Sequence, residues 1–166
     1  MTGNRMTQKS QEFLEKLALN QPLISDGAMG TMLHARGVSS TLCFDALNLD
    51  NPELVADIHR AYLEAGSGMI ETNTFGANRF KLAQHSLAEK LVEINRAGVE
   101  IARKVAREHT PEALVAGDVG PLGVRIAPFG RVKLDEARAA FAQQIKALAD
   151  AGADLILIET MADLYE

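Results

Sequence analysis

Two short apolar runs in this 166-residue chain end on the same three residues, Ile70-Glu71-Thr72 and Ile158-Glu159-Thr160. Each follows a helical stretch and an Ala-Gly pair, Ala65-Gly66 and Ala151-Gly152. The second copy carries two extra residues between its Ala-Gly and its Glu-Thr. A repeated helix–glycine–strand–carboxylate unit constrains the fold strongly. A helix that returns the chain over a sheet makes successive strands parallel, so the polar residues following each strand gather at one edge.

Four runs read as buried parallel strands, at residues 22–25, 69–71, 114–117 and 154–158. Short apolar runs are ambiguous alone, but long helical segments separate these. The spacing predicts helices over about 52–65, 87–108 and 134–151, and a further one before the first strand, at about 10–19, covering one end of the sheet. Asp50 or Asn51 caps the helix at 52, Pro52 suits its first position and Gly66 its stop. Ser86 and Glu89 make a capping-box pattern for the second helix. Inward stripes are Leu54, Val55, Ile58 and Tyr62, then Leu87, Leu91, Ile94, Ile101 and Val105, then Leu134, Ala137, Phe141, Ile145 and Leu148.

The fold class that follows is α/β. Two forms compete, a complete four-stranded open sheet and the first half of an eight-stranded (βα)₈ barrel. The abrupt end of the fourth unit and the polar residues at every strand end favour the half barrel. The expected division is a 1–21 N-terminal extension with its capping helix, then 22–166 as about four βα units.

Composition bounds the partners. A net charge of −5 without a basic cluster argues against nucleic acid and anionic membranes. No apolar run is long enough to span a bilayer, and the polar start has no signal-peptide core. One cysteine, Cys43, excludes an internal disulfide and points to a reducing, cytoplasmic setting. No Cys or His lies at metal-ligand spacing from it, so its reading is a packed thiol. His59 and His109 read as solvent-facing, and none of the four histidines receives a role.

The strand ends supply the candidate site. Asp26, before Gly27, either holds a substrate ammonium while the glycine lets backbone approach closely, or forms a plain Asp-Gly turn. Thr72, Asn73 and Thr74 leave the second strand as a polar run suited to binding a carboxylate. Gly117-Asp118-Val119-Gly120-Pro121 lacks the dinucleotide pattern, and Pro121 removes a donor that a phosphate cradle needs. It reads as a close-approach loop lining a cleft. Glu159 is a half-buried carboxylate that needs a partner, either a substrate ammonium or a loop N–H.

Taken together, Asp26-Gly27-Ala28-Met29-Gly30-Thr31, Glu71-Thr72-Asn73-Thr74-Phe75, Gly120-Pro121 and Ile158-Glu159-Thr160 resemble the homocysteine S-methyltransferase domain, in register from about Pro22 onward. Phe44-Asp45-Ala46-Leu47-Asn48-Leu49 and Gly76-Ala77-Asn78-Arg79-Phe80-Lys81-Leu82 resemble most a bacterial subgroup fused to a methylenetetrahydrofolate reductase domain. The resemblance implies a (βα)₈ TIM barrel of which this chain covers the first half. It implies methyl transfer to the homocysteine thiol, giving methionine, with homocysteine and a methyl donor as partners. It also implies Zn2+ for the full-length domain, with cysteine ligands on later strands that this chain lacks, and FAD where the fused reductase is present. By the resemblance, Asp26 and Glu159 hold the substrate ammonium, and backbone near Gly27 and Thr72 meets its carboxylate. Asn73 stands with Thr72 in the loop that Glu71 supports. No catalytic residue and no metal ligand is expected in this chain. The alternative is an amino-acid-binding or assembly module completed by another chain, self-associating through exposed half-barrel edges.

Overall fold

The structure is a computed structural model that describes residues 8–161 and 163–166, so the first seven residues of the polar start and Ala162 lie outside the described residues. Its centre is a parallel sheet in the order β1 (Met69–Glu71), β2 (Leu114–Val119) and β3 (Leu155–Ile158). Met69 pairs with Leu114, and Ala116 with Leu155. Neighbours in sequence are neighbours in space, as the repeated unit requires.

The expected first strand is reduced to one parallel bridge, Ser25 to Met69. Hydrogen bonds from Gly68 N to Ile24 O (2.8 Å) and from Asp26 N to Met69 O (3.0 Å) hold it beside β1. Pro22 has no N–H to extend this ladder, and Ile24 is 69% exposed, so the segment is an edge rather than a buried strand.

Helices α1 (Gln8–Ala18), α2 (Met29–Ala35), α3 (Leu47–Asp50), α4 (Pro52–Glu64), α5 (Arg79–Ala83), α6 (Leu91–His109) and α7 (Leu134–Ala151) surround the sheet. Among the described residues, no helix is long and apolar enough to cross a membrane. Asn51 caps α4, its side chain accepting from Leu54 N at 3.4 Å. Gly66 and Gly152 take left-handed φ of 103° and 93° just past α4 and α7. In both places the next N–H reaches back five residues, Ser67 to Tyr62 O and Ala153 to Leu148 O, the closure that a glycine stop permits.

Ser86 does not cap α6. It adopts φ 61° and closes α5 by the same motif, with Leu87 N bonded to Leu82 O at 2.9 Å and both leucines in one apolar cluster. The chain then enters α6 through a 3-10 turn at Ala88–Lys90. Local closure of the preceding helix has taken the residue that the capping pattern assigned to the next one.

The main core lies between the sheet and helices α4, α6 and α7, where Leu63, Ile70, Val99, Val105, Val115 and Leu148 are all buried. Each such side chain contributes roughly 1.5–3 kcal/mol by leaving water. Two expectations fail at its margins. His59 faces inward and is fully buried, because α4 packs against α3 and α6 as well as β1 and so buries more than one stripe. Leu134 is 46% exposed, at a flank of α7 that no further element among the described residues covers.

Helix α1 lies under the sheet. Lys9 Nζ donates to Pro111 O (2.6 Å) and Ala113 O (2.8 Å), and Ser10 Oγ to Asp154 O (2.6 Å). Those carbonyls precede β2 and β3, so α1 covers the N-terminal end of the strands, leaving the opposite end to the long loops.

Candidate functional site

The loops leaving the strands enclose a cavity of about 750 Å³. Asp26, Gly27, Thr72, Asn73 and Glu159, the residues singled out from the sequence, all line it. The parallel register brings them together, since each stands one or two residues beyond a paired position.

Their surroundings differ. Asp26 Oδ2 accepts from Glu71 N at 3.0 Å, and Ser25 Oγ bridges Asp26 Oδ1 (3.3 Å) and Glu71 Oε1 (3.1 Å). Burial pushes the Asp26 carboxyl up to about 7; the Glu71 N–H opposes this and the Glu71 charge adds to it. Glu71 is also raised, by burial first and then by Glu159, with the Ser25 hydroxyl opposing. Gly27 lies against Tyr62, whose hydroxyl oxygen would stand 3.1 Å from an added Cβ.

Thr72 and Asn73 are braces. Thr74 Oγ1 donates to Asp118 O at 2.8 Å, so the 2.6 Å contact between the two hydroxyls takes its proton from Thr72. Thr72 Oγ1 accepts from Asp118 N (3.0 Å), and its own N–H bonds Ala116 O (2.9 Å). Both donors of Thr72 are therefore committed. The Asn73 amide donates to Phe44 O (2.7 Å) and Asn48 Oδ1 (3.1 Å), while Asn48 donates to Asn73 O (2.8 Å). Gln144 of α7 donates to Thr74 O at 2.8 Å from behind. Gly120 fits because its Cα presses on Phe75; a Cβ there would stand 2.7 Å from the Phe75 carbonyl oxygen. This is the close approach expected of that loop.

Three cavity residues escaped the sequence reading. Asp118, at the end of β2, is 5% exposed, and its Oδ1 has no hydrogen-bond partner. Burial pushes it up to about 8, and Glu159, Glu71, Asp45 and Asp26 all add to this. The signal is in the sequence: Asp118 is the strand-end acid of its unit, as Glu71 and Glu159 are of theirs, but the reading of its loop as a cleft lining rests on the glycines and Pro121 and gives the acid no role. Asp45 is buried and accepts from Gly76 N at 2.8 Å. Lys81 Nζ sits 4.2 Å from the centre of the Phe75 ring, facing Asp45, Asp118 and Glu166.

One carboxylate oxygen each of Glu71, Asp118 and Glu159 lie within 4.8 Å of one another. With Asp26 beside them, this end of the cavity is a negatively charged recess suited to a cation. A thiolate zinc centre is a poor fit. The sequence has a single cysteine, Cys43, whose thiol is pushed up by burial and by Asp45, and the carboxylate cluster offers only hard oxygen donors.

The chain is similar to known proteins in sequence and in fold. The sequence profile of the homocysteine S-methyltransferase family matches residues 23–166. Methionine synthase of Mycobacterium leprae is 34% identical over all of this chain, which spans 14% of that protein. Methionine synthase of Mycobacterium tuberculosis is 36% identical over 87% of this chain and 13% of its own length. Among solved structures, the metallated form of the homocysteine methyltransferase MmuM from Escherichia coli superposes with a TM-score of 0.78 at 31% identity. That superposition covers 92% of this chain and 58% of that enzyme. By its sequence profile and its fold, this chain belongs to the homocysteine S-methyltransferase family.

Proposed function

We propose that this chain forms the homocysteine-binding part of a homocysteine S-methyltransferase. The observation that carries the reading is the acidic recess at the strand ends, next to the backbone of the Asp26-Gly27 loop. A zwitterionic amino acid needs both features. Asp26 and Glu159 supply charge for the ammonium, and the loop around Gly27 meets the carboxylate, since Thr72 has no donor to spare. The thiol then points away from the recess towards the open side of the cavity.

In the whole reaction the homocysteine sulfur forms a bond to a methyl group as the donor–methyl bond breaks. Zinc activates the thiol in the family that the sequence resembles, yet the donors in this chain do not fit such a centre. The part assigned to this chain is to bind and orient the amino-acid end. Replacing Glu159 with Gln is expected to weaken homocysteine binding by about 1.5–3 kcal/mol, the worth of a charge-assisted hydrogen bond. Calorimetric titration of homocysteine into both proteins checks this, and unchanged affinity would remove Glu159 from the site.

The open flank supports a second element of the reading, that 22–166 is half of an eight-stranded barrel completed by further βα units. Ile158 is 62% and Tyr165 68% exposed beside a groove of about 410 Å³ lined by Phe141, Ile145 and Met161. In a longer polypeptide the next units would cover it; otherwise a second copy would, and sedimentation analysis distinguishes a monomer from a dimer. A reductase fusion with its flavin and a cytoplasmic setting belong to the same reading of the parent protein.

A further inference from the structure

We propose that Lys81 is the docking point for the carboxylate of a second ligand that shares the cavity with the amino acid. In a methyl transfer that ligand is the donor, so the donor class is one that carries a free carboxylate. This rests on the homocysteine reading above for there being two ligands. It gives a role to a cation to which that reading assigns none.

Two observations on the side chain support this. The first is its aim. Lys81 stands on α5, between β1 and α6, and its stem runs through a slot between two glycines. A Cβ on Gly76 would stand 3.3 Å from Lys81 Cδ, and one on Gly123 would stand 2.9 Å from its Cγ and 3.0 Å from its Cε. The slot leads the ammonium to the face of Phe75, 4.2 Å from the ring centre, on the cavity wall. A lysine held in this way has already lost much of its rotamer freedom, so less is lost when a ligand arrives. The second is the missing partner. Burial works against the charged form of the ammonium, and Asp45, Asp118 and Glu166 oppose this. Among the described residues, none of these acids comes within ion-pair distance of it, and the ammonium makes no hydrogen bond. A half-buried cation that rests only on an aromatic face still has N–H groups to offer.

The surroundings select the anion. A single ammonium suits a carboxylate, whereas a phosphate calls for a nest of backbone donors. Pro121, two residues before Gly123, takes one such donor out of the adjoining loop. The acids nearby would also repel a doubly charged group more strongly than a singly charged one. Space favours a second molecule. The cavity of about 750 Å³ is of a size that holds a drug-sized ligand, roughly 300–1,000 Å³. An amino acid as small as homocysteine leaves much of it open. In the reading above, the carboxylate of that amino acid is already met by the loop around Gly27.

The test titrates butanoate and neutral butanamide into the 166-residue chain, with and without saturating L-homocysteine, and follows binding by NMR. A carboxylate site at Lys81 predicts that butanoate is preferred by about tenfold, from the worth of a charge-assisted hydrogen bond. The preference should persist beside bound homocysteine, and Lys81→Met should remove it. Lys81→Gln carries the test if Lys81→Met fails to fold. No preference for butanoate, or one that survives loss of the lysine, overturns the proposal and leaves Lys81 as a counter-charge for the three acids. Homocysteine binding in the same titrations then keeps the homocysteine reading standing. Homocysteine that displaces butanoate, and itself binds more weakly to Lys81→Met, also overturns the proposal, because Lys81 then holds the substrate's own carboxylate. A preference that depends on Lys81 in a chain that does not bind homocysteine supports the carboxylate site and sinks the homocysteine reading.

Discussion

Asp154 and Asp118 are both almost fully buried acids, one before β3 and one at the end of β2, and they are treated in opposite ways. Asp154 accepts from Val115 N at 3.0 Å and pairs with Arg103 at 3.2 Å, while Ser10 holds its carbonyl. Asp118 faces two other carboxylates and leaves an oxygen without a partner. The N-terminal end of the sheet thus spends its charges on holding the strands. The C-terminal end leaves one acid oxygen, Asp118 Oδ1, without a hydrogen-bond partner beside a cavity. Parallel βα folds divide stability and chemistry between their two ends in this way, and one pair of aspartates states the division here.

Substitutions can break that contrast. The largest effect is expected at the supporting end, where Asp154→Ala removes the partner of Arg103 and of a buried N–H and should cost about 3 kcal/mol in urea unfolding. A cost below about 1 kcal/mol would mean that the supporting end is not held by its charges. At the other end, Gly120→Ala should cost about 2 kcal/mol by forcing Phe75 aside, measured the same way.

Asp118→Asn should do the reverse and stabilise the fold by about 1 kcal/mol at pH 9, by removing a buried charge without a partner. The pH profile sharpens this. Asp118 and Asp26 have folded-state pKa values of about 8 and about 7, against an ordinary 3.8. Their contribution to stability is fully present below about pH 4 and is lost as pH rises through those values. Buried His59, lowered from 6.5 to about 4, works from the other side. Its contribution is lost as pH falls from about 6.5 through about 4. From about pH 4 to about 6.5 the two acids outweigh His59, so thermal melts should show greatest stability near about pH 4, and Asp118→Asn should flatten the fall between about pH 4 and about 8. The smallest effect is expected for Lys81→Met, which should change stability by less than about 1 kcal/mol, because the charge interactions of a partly exposed lysine are worth little.

Helices α4 and α7 are legible in the sequence because each carries an apolar stripe and a glycine stop, signals that depend on neighbours within a few residues. What it obscured depended on distant neighbours. His59 is buried on a helix that packs against α6 and β1 as well as α3. The capping pattern at Ser86 points forward to α6, whereas α5 uses the residue backward as a stop. The edge at Ser25 is short because Pro22 has no N–H to extend it and, among the described residues, β1 alone pairs with it. The cavity lining was legible because strand ends converge in any parallel sheet. Which donors were already spent, as at Thr72, and which acid was left over, as at Asp118, required the hydrogen-bond partners across β1 and β2.

The central claim is that the acids beyond the strands await a cation while Asp154 below them is satisfied. A carbon-13 pH titration of the aspartate carboxyl groups, with and without saturating L-homocysteine, tests it directly. The account predicts that the ligand drives the Asp118 titration midpoint well below its value in the free chain. A midpoint for Asp118 that is the same in the bound and free chain would contradict it.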